Sequence, residues 1–166
     1  MGVEKILTLE RACEVVADLK RQGKRVVLTH GCFDLLHPGH TRHLAEARKL
    51  GDVLIVAVNS DRSVRARKGS QGAIQPEAER AEILAALKVV DYVTVFDDPS
   101  PRALIARMLP QVLAEGGDGR PDVMVGGAEV EAAGGSVFSI PAVAGYSTSA
   151  IIEAALRAVT QQKSGG

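Results

Sequence analysis

The sequence predicts an α/β fold in which one parallel sheet lies between two layers of helices. Helix-like and strand-like segments alternate along the chain, and the strand-like segments include continuous apolar runs, which are typical of strands buried on both faces. The 166 residues are 46% hydrophobic and 24% charged, which suffices for one domain with its own core. We therefore expect a single three-layer α/β/α domain with a parallel five-stranded sheet.

The first half of the chain begins this alternation. Apolar side chains recur at helical spacing over residues 8–22, and Gly23 ends this amphipathic helix. The apolar runs RVVLT (25–29) and VLIVAV (53–58) predict the first two strands. Between them a helix begins at Pro38, because proline suits the first helical position.

The second half continues the pattern after a polar, basic stretch over residues 59–75, which we expect to be a loop. The next elements predicted are a helix from Pro76, a strand over 91–96, a helix over 101–109, a short strand within 111–119 and a strand over 135–140. A final helix begins at Ser147 or Thr148, whose hydroxyl groups suit an N-cap, and extends to about Val159. In a sheet of this kind the ligand lies beyond the carboxyl ends of the strands.

Composition limits the domain organisation and the partners. Residues 1–24 are predicted to form an N-terminal helix packed on the domain, residues 25–160 the domain itself, and residues 161–166 a disordered tail. Lys and Arg total 20, as do Asp and Glu, so no broad basic footprint for nucleic acid is present. No segment approaches the ~18 apolar residues of a membrane helix. The two cysteines form no metal-type pair, and we expect a cytoplasmic protein with reduced thiols.

The segment THGCFDLLHPGH (29–40) carries the clearest chemistry in the sequence. It follows the first predicted strand, and Pro38 and Gly39 leave the start of the next helix with little side-chain bulk. His37 and His40 lie three residues apart and thus on nearly one face of that helix. A helix N-terminus attracts phosphate, and two imidazoles add hydrogen-bond donors. On these residues alone a polar cap and a zinc pair stay open, although no further Cys, His or carboxylate cluster completes a zinc site.

The same segment resembles the HxGH signature of the nucleotidyltransferase superfamily in its long form, T-x-G-x-F-D-x-x-H-x-G-H. The matching residues are Thr29, Gly31, Phe33, Asp34, His37, Gly39 and His40. A second family signature, a Ser-Thr run that opens a late helix, is matched by GYSTSAII (145–152). Beyond these motifs, residues 25–157 resemble the adenylyltransferase domain of the bacterial ADP-heptose synthase family. The resemblance implies a Rossmann-like nucleotidyltransferase domain over residues 25–160.

The resemblance implies an adenylyltransferase reaction. A phosphate oxygen of D-glycero-β-D-manno-heptose 1-phosphate would attack the α-phosphate of ATP in line, and pyrophosphate would leave. Mg²⁺ would be bound mainly through the ATP phosphates, without a protein ligand. The expected partners are ATP, a sugar 1-phosphate, a second copy in a homodimer, and a separate heptose 7-phosphate kinase. The chain resembles the stand-alone form of the family, or a domain excised from the longer form. Two alternatives stay open: a cytidylyltransferase for a polyol phosphate such as glycerol 3-phosphate, and a non-catalytic nucleotide-binding module.

The resemblance also assigns roles to individual residues. The catalytic residues would be His37, His40 and Lys68, the last of these in the basic stretch RSVRARKG. The nucleotide would be bound by Gly31, Cys32, Phe33, Gly39, Asn59, Arg80, Gly116, Asp118, Tyr146, Ser147 and Thr148. The acceptor would be bound by Asp34, Asp61 and Glu115. Simpler structural interpretations are an Asx-turn for Asp34, strand-end capping for Asn59 and Asp61, and a helix cap for Ser147.

Three further positions qualify the resemblance. Glu115 stands where close relatives have a lysine, which places a negative charge beside a site for two anions. His30 stands where relatives commonly have Asn or Tyr. His43 extends the row of histidines deeper into the helix, where packing or a solvated face is the simpler interpretation. The charge at position 115 therefore leaves the identity of the acceptor phosphate open.

Overall fold

The computed structural model describes residues 2–69, 72–117 and 123–164, and its centre is a sheet of six parallel strands. The strands are β1 (Ile6–Leu7), β2 (Val26–Gly31), β3 (Val53–Asn59), β4 (Tyr92–Phe96), β5 (Val112–Gly116) and β6 (Ser136–Ile140). Their order across the sheet is β1-β4-β3-β2-β5-β6. The α/β class and the parallel sheet are confirmed, whereas the sheet has six strands instead of the predicted five.

The additional strand lies in the N-terminal segment. Ile6 and Leu7 pair in parallel with Val93 and Thr94 at the edge of the sheet. Two residues are too few to show the alternation that identifies a strand in a sequence. The segment 1–24 therefore contributes an edge strand as well as the expected helix.

Seven α-helices flank the sheet or follow it in the described residues. They are α1 (Leu9–Arg21), α2 (Pro38–Arg48), α3 (Asp61–Lys68), α4 (Glu77–Ala85), α5 (Arg102–Met108), α6 (Gly127–Ala132) and α7 (Thr148–Ser164). Helix α3 replaces part of the expected loop because the Ser60 hydroxyl caps it, accepting a hydrogen bond from Ser63 N at 3.0 Å. Helix α7 continues to Ser164, so the disorder predicted over 161–166 is wrong for residues 161–164; residues 165 and 166 lie outside the described residues.

The core lies on both faces of the sheet because successive side chains of a strand point to opposite faces. In β3, Leu54 and Val56 pack with α2 and α4 on one face, whereas Ile55 and Ala57 pack with α1 and α5 on the other. These four side chains have no exposed surface. The continuous apolar run that predicted a buried strand is thus explained by two helical layers.

The order of the strands creates a crevice at the carboxyl end of β2. From β2 the chain proceeds through β3 to β4 on one side, and later returns to place β5 and β6 on the other side. Such a switch point is where open parallel sheets bind ligands. No described helix is both long enough and apolar enough to cross a membrane.

Candidate active site

A pocket of about 360 Å³ occupies this crevice between the carboxyl ends of β2 and β5. It is lined by His30, Gly31, Cys32, Phe33, Asp34, His37, Gly39, His40, His43, Gly116, Gly117, Ile140, Pro141, Ala142, Val143, Tyr146 and Thr148. The four histidines in this set are all the histidines of the chain. The pocket therefore brings together both sequence signatures, which lie about a hundred residues apart.

His37 and His40 form a stacked pair at the start of α2. Their ring centroids are 3.8 Å apart and their planes are inclined by 22°. His37 is the N-cap residue, and its side chain makes no capping hydrogen bond, which leaves the ring over the first helical turn. A Cβ atom on Gly39 would stand 2.9 Å from His37 Cε1 and Nδ1. Glycine at position 39 is thus required for the ring of His37 to lie where it does.

Burial disfavours the charged form of both imidazoles. Burial lowers the pKa of His37, and burial together with the neighbouring His37 and His43 lowers the pKa of His40 to about 4. The Nδ1 atoms of both rings are buried and have no hydrogen-bond partner among the described residues. Unpartnered buried polar atoms are uncommon and costly, and a bound ligand with oxygen atoms would supply the missing partners.

His43 is a pocket residue that sequence reasoning assigned to packing or to a solvated face. Its Nε2 lies 2.9 Å from the hydroxyl of Thr29, the first residue of the signature. Burial, and to a smaller extent the proximity of His30, lowers the pKa of His43. Its Nδ1 is a third buried nitrogen without a partner among the described residues. The spacing of three residues from His40 was the signal that predicts this shared face.

The loop after β2 has a strained backbone that hydrogen bonds hold in place. Phe33 and Leu35 have φ angles of 50° and 47°, which side chains other than glycine rarely adopt. The Asp34 carboxylate accepts hydrogen bonds from Ile74 N at 2.7 Å and Gln75 N at 3.0 Å, and the Gln75 side chain accepts one from Leu35 N at 3.0 Å. Both carboxylate oxygens of Asp34 are therefore engaged in orienting the loop, although the residue lines the pocket.

Phe33 packs against the rings of His40 and His43. Its side chain is buried, and its ring lies 5.5 Å from that of His40 and 6.5 Å from that of His43, tilted against both. Aromatic rings at these separations pack favourably edge to face. Phe33 thus fixes the wall behind the imidazoles, while its contact with a nucleotide stays a prediction.

The start of α7 forms the opposite side of the pocket. The Thr148 hydroxyl donates a hydrogen bond to the carbonyl of Asp34 at 2.8 Å, which ties α7 to the loop after β2. Ser147 caps the helix, since its hydroxyl accepts a hydrogen bond from Ala150 N at 3.1 Å, and it does not line the pocket. The guanidinium of Arg42 lies 5.2 Å from the ring centroid of Tyr146. Two helix N-termini, those of α2 and α7, therefore meet at one pocket.

Arg80 is not among the residues that line the pocket, and its contact with the nucleotide stays a prediction. Its side chain is fully buried. The guanidinium donates to the carbonyl of Cys32 at 2.6 Å and to that of Gln75 at 2.9 Å, and it forms an ion pair with Asp61 at 2.8 Å. These partners belong to three segments, so Arg80 ties α4 to the loop after β2 and to the start of α3.

Asn59 and Asp61 are not among the residues that line the pocket either, and their roles in binding stay predictions. The Asn59 amide is fully buried and donates to the Ser63 hydroxyl at 2.9 Å, as the capping interpretation expects. The Asp61 carboxylate accepts a hydrogen bond from Arg80. The predicted roles of Asp118 and of the Lys68 side chain lie outside the described residues.

Glu115 lies behind the pocket wall and contacts a residue that lines it. Its Oε1 atom is 2.8 Å from His30 Nε2, and the two side chains are 21% and 15% exposed. Glu115 and His30, the two positions that the resemblance predicts to differ from the family, are therefore in contact with each other. Gly116 and Gly117, which follow Glu115, line the pocket directly.

A metal centre does not fit the described part of the chain. No three or more His, Cys, Asp or Glu side chains there are arranged to hold a metal ion. Among the described residues, the histidine pair therefore lacks the further ligands that a zinc site needs. A Mg²⁺ ion bound mainly through the phosphates of a nucleotide stays a prediction.

A family model matches the part of the chain that forms the pocket. The model of the cytidylyltransferase-like family matches residues 28–154, which include both signatures and every described residue that lines the pocket. The chain belongs to the cytidylyltransferase-like family. The expected class of enzyme, a nucleotidyltransferase, is thereby confirmed.

Curated relatives are similar over most of this chain. The protein named Bifunctional protein HldE of Geotalea uraniireducens is 50% identical over 149 residues, which are 90% of this chain and 30% of that protein. Its namesake from Geobacter sulfurreducens is 46% identical over 161 residues, 97% of this chain and 33% of that protein. The chain thus spans about a third of the length of these relatives.

Solved structures share the fold. The lipopolysaccharide core biosynthesis protein of Thermoplasma volcanium is 27% identical, with a TM-score of 0.58 over 73% of this chain and 98% of that one. A pantoate-beta-alanine ligase from Francisella tularensis, in complex with an ATP ligand, is similar with a TM-score of 0.59 over 82% of this chain and 66% of that one. Its identity is 15%, so this second likeness concerns the fold alone.

Proposed function

We propose that this chain transfers the adenylyl group of ATP to D-glycero-β-D-manno-heptose 1-phosphate and releases pyrophosphate. The observation that carries this proposal is the stacked pair of His37 and His40 at the N-terminus of α2, which faces the N-terminus of α7 across one pocket. Imidazole donors and two helix N-termini together favour a chain of phosphates. ATP presents such a chain, and nucleotidyl transfer takes place on its α-phosphate.

In the proposed reaction a phosphate oxygen of the sugar 1-phosphate forms a new bond to the α-phosphorus of ATP. The bond from that phosphorus to the bridging oxygen of pyrophosphate breaks, and no proton has to be removed from a dianionic phosphate. The enzyme then has to align the two substrates and to stabilise the charge on the α-phosphate oxygens. We assign the second task to His40, with His37 holding the adjacent phosphates.

The environment of His40 suits this task. Burial keeps its ring uncharged until a ligand arrives, and a bound polyphosphate would favour the charged form, because an opposite charge stabilises an imidazolium. A donor that strengthens as negative charge develops contributes to the rate rather than to ground-state binding alone. Phe33 keeps the ring in position for this role.

The acceptor and the partners belong to the same proposal. The resemblance to the ADP-heptose synthase family, and the similarity to proteins named HldE over 90% or more of this chain, support the heptose 1-phosphate. The proposal further includes Lys68 and Asp118 as contacts of ATP, a Mg²⁺ ion on the phosphates, a homodimer, a cytoplasmic location and a separate kinase that supplies the sugar phosphate.

Pyrophosphate release tests the proposal. The protein is incubated with ATP, CTP, GTP or UTP, each with heptose 1-phosphate or with glycerol 3-phosphate, and H40N serves as the inactive control. We expect release with ATP and heptose 1-phosphate. Turnover with CTP and glycerol 3-phosphate would identify the polyol cytidylyltransferase instead, and tight ATP binding without release for any pair would identify a non-catalytic binding module.

A further inference from the structure

His30 and Glu115 occupy corresponding positions near the ends of two neighbouring strands. Strands β2 and β5 pair through Val27 with Val112 and through Leu28 with Leu113, and the same register continued by two residues sets His30 beside Glu115. The pair therefore lies at the switch point of the sheet, where His30 lines the pocket and Glu115 contacts His30. Its hydrogen bond of 2.8 Å is largely shielded from solvent.

The hydrogen bond between His30 and Glu115 determines which of their atoms can still bond to a ligand. An ionised carboxylate can only accept hydrogen bonds, so His30 Nε2 carries the proton that it shares with Glu115. The remaining atoms, His30 Nδ1 and Glu115 Oε2, have no hydrogen bond to the described part of the chain. In this tautomer His30 Nδ1 has a lone pair that can accept a hydrogen bond, and His30 lines the pocket. Such an acceptor matches a hydroxyl donor on a ligand.

The two ends of the pocket thus differ in charge. The end formed by His37 and His40 has no free carboxylate, because both oxygens of Asp34 accept backbone N–H groups. The end formed by His30 has the carboxylate of Glu115 in contact with that residue. A phosphate placed there would be repelled by Glu115, whereas a neutral group with hydroxyls would not.

We propose that His30, held in place by Glu115, is a specificity-determining residue that accepts hydrogen bonds from sugar hydroxyls of a bound substrate. This inference rests on the proposed function in that the substrates are a nucleotide and a sugar phosphate. Both carry sugar hydroxyls, on the ribose and on the acceptor ring respectively. Glu115 acts as a positioning residue, because it reaches the substrate through the orientation and proton of His30.

The experiment compares ligands that differ by one hydroxyl. In the first arm, calorimetry measures the binding of ATP, 2′-deoxy-ATP and 3′-deoxy-ATP to the whole chain. In the second arm, kcat and KM are measured for mannose 1-phosphate and its 2-, 3-, 4- and 6-deoxy forms with ATP. Both arms use the wild-type protein, E115Q and H30N, with E131Q as the matched control, since Glu131 is an exposed residue on α6.

We expect the wild-type protein to prefer one fully hydroxylated ligand by about 10- to 100-fold, as for a hydrogen bond to a charged pair. E115Q and H30N should reduce that preference to below about threefold, whereas E131Q should keep it. Affinity for inorganic pyrophosphate should be unchanged in E115Q, because the anion end is separate. Loss of preference in the first arm identifies the ribose as the ligand, and loss in the second arm identifies the acceptor.

Unchanged preferences in both arms, or an equal loss for all ligands, would overturn the inference. Melting temperatures of the variants separate misfolding from a local effect, and two variants at different residues keep the test decisive if one fails to fold. The binding arm needs no turnover. Hydroxyl preference that depends on Glu115 without any pyrophosphate release would therefore refute the proposed function and leave this inference standing.

Discussion

Replacement of Gly39 by alanine should reduce activity without reducing stability. The added Cβ would stand 2.9 Å from two ring atoms of His37, whereas ordinary contacts begin at 3.4 Å, so the ring has to move by about 0.5 Å or more. The new methyl group would meet Tyr146 Cβ at an acceptable 3.4 Å. The backbone of Gly39 is helical and not left-handed, so alanine fits its conformation.

The two effects of this substitution have opposite signs. Alanine is favoured over glycine within a helix by roughly 0.5–1 kcal/mol, which offsets the cost of displacing one ring. The free energy of unfolding should therefore stay within about 1 kcal/mol of the wild-type value. A misplacement of about 1 Å at a reacting centre can lower rates by about 10²-fold, so a shift of half that size predicts a loss of roughly 10-fold or more in kcat/KM.

The assay is a double-mutant cycle with pyrophosphate release as the readout. Wild type, G39A, H37A and the double variant are compared under identical conditions, and urea denaturation measures their stability. If G39A acts through the ring of His37, it should change kcat/KM by less than about threefold in the H37A background. Full additivity of the two losses, or an active G39A enzyme, would refute the role assigned to the position of His37.

Three further predictions concern other residues. H40N should lower kcat by about 10²–10³-fold in steady-state assays because a donor to the transition state is lost, and a change in KM alone would contradict this. The free energy of unfolding should fall as the pH drops from 6.5 towards 4, because an unfolded imidazole binds a proton at about 6.5 and His40 only at about 4. In acid titrations followed by circular dichroism, H40N should reduce this loss of free energy by on the order of 1–2 kcal/mol after solvent screening. An equal loss in H40N and in the wild-type protein would contradict the role of His40. R80M should lower the free energy of unfolding, measured in urea, by about 3 kcal/mol, because it leaves the Asp61 carboxylate and two carbonyls without their donor. R80K should recover part of this loss. An R80M variant as stable as the wild-type protein would show that Arg80 does not hold these segments together.

Elements of the fold with a clear apolar pattern along the sequence could be predicted, whereas elements without one could not. The run VLIVAV requires two apolar neighbours, and the sheet supplies a helical layer on each face. Strand β1 could not be predicted because it consists of two residues whose pairing depends on β4. Helix α3 was missed because its segment is polar and basic, a composition that is common in loops, although Ser60 is a recognisable N-cap.

In the site, too, contacts between residues close in sequence could be predicted, whereas contacts between distant residues could not. His37, Gly39 and His40 lie within one turn, so their spacing alone predicts their convergence. The direction of a long side chain depends on what lies around it, and Arg80 turns inward to carbonyls that no local pattern identifies. The contact between His30 and Glu115 joins residues 85 positions apart and requires the order of the strands.

The most direct test of the proposed function is to follow the fate of the phosphorus atoms during one reaction. ³¹P NMR of the protein with ATP and heptose 1-phosphate should show the signals of the sugar phosphate and of ATP replaced by those of a sugar-linked diphosphate and free pyrophosphate. A heptose 1-phosphate labelled with ¹⁸O in its phosphate should carry label into the bridge of that diphosphate. Formation of ADP or inorganic phosphate in place of pyrophosphate, or no reaction with ATP while CTP reacts, would contradict adenylyl transfer by this chain.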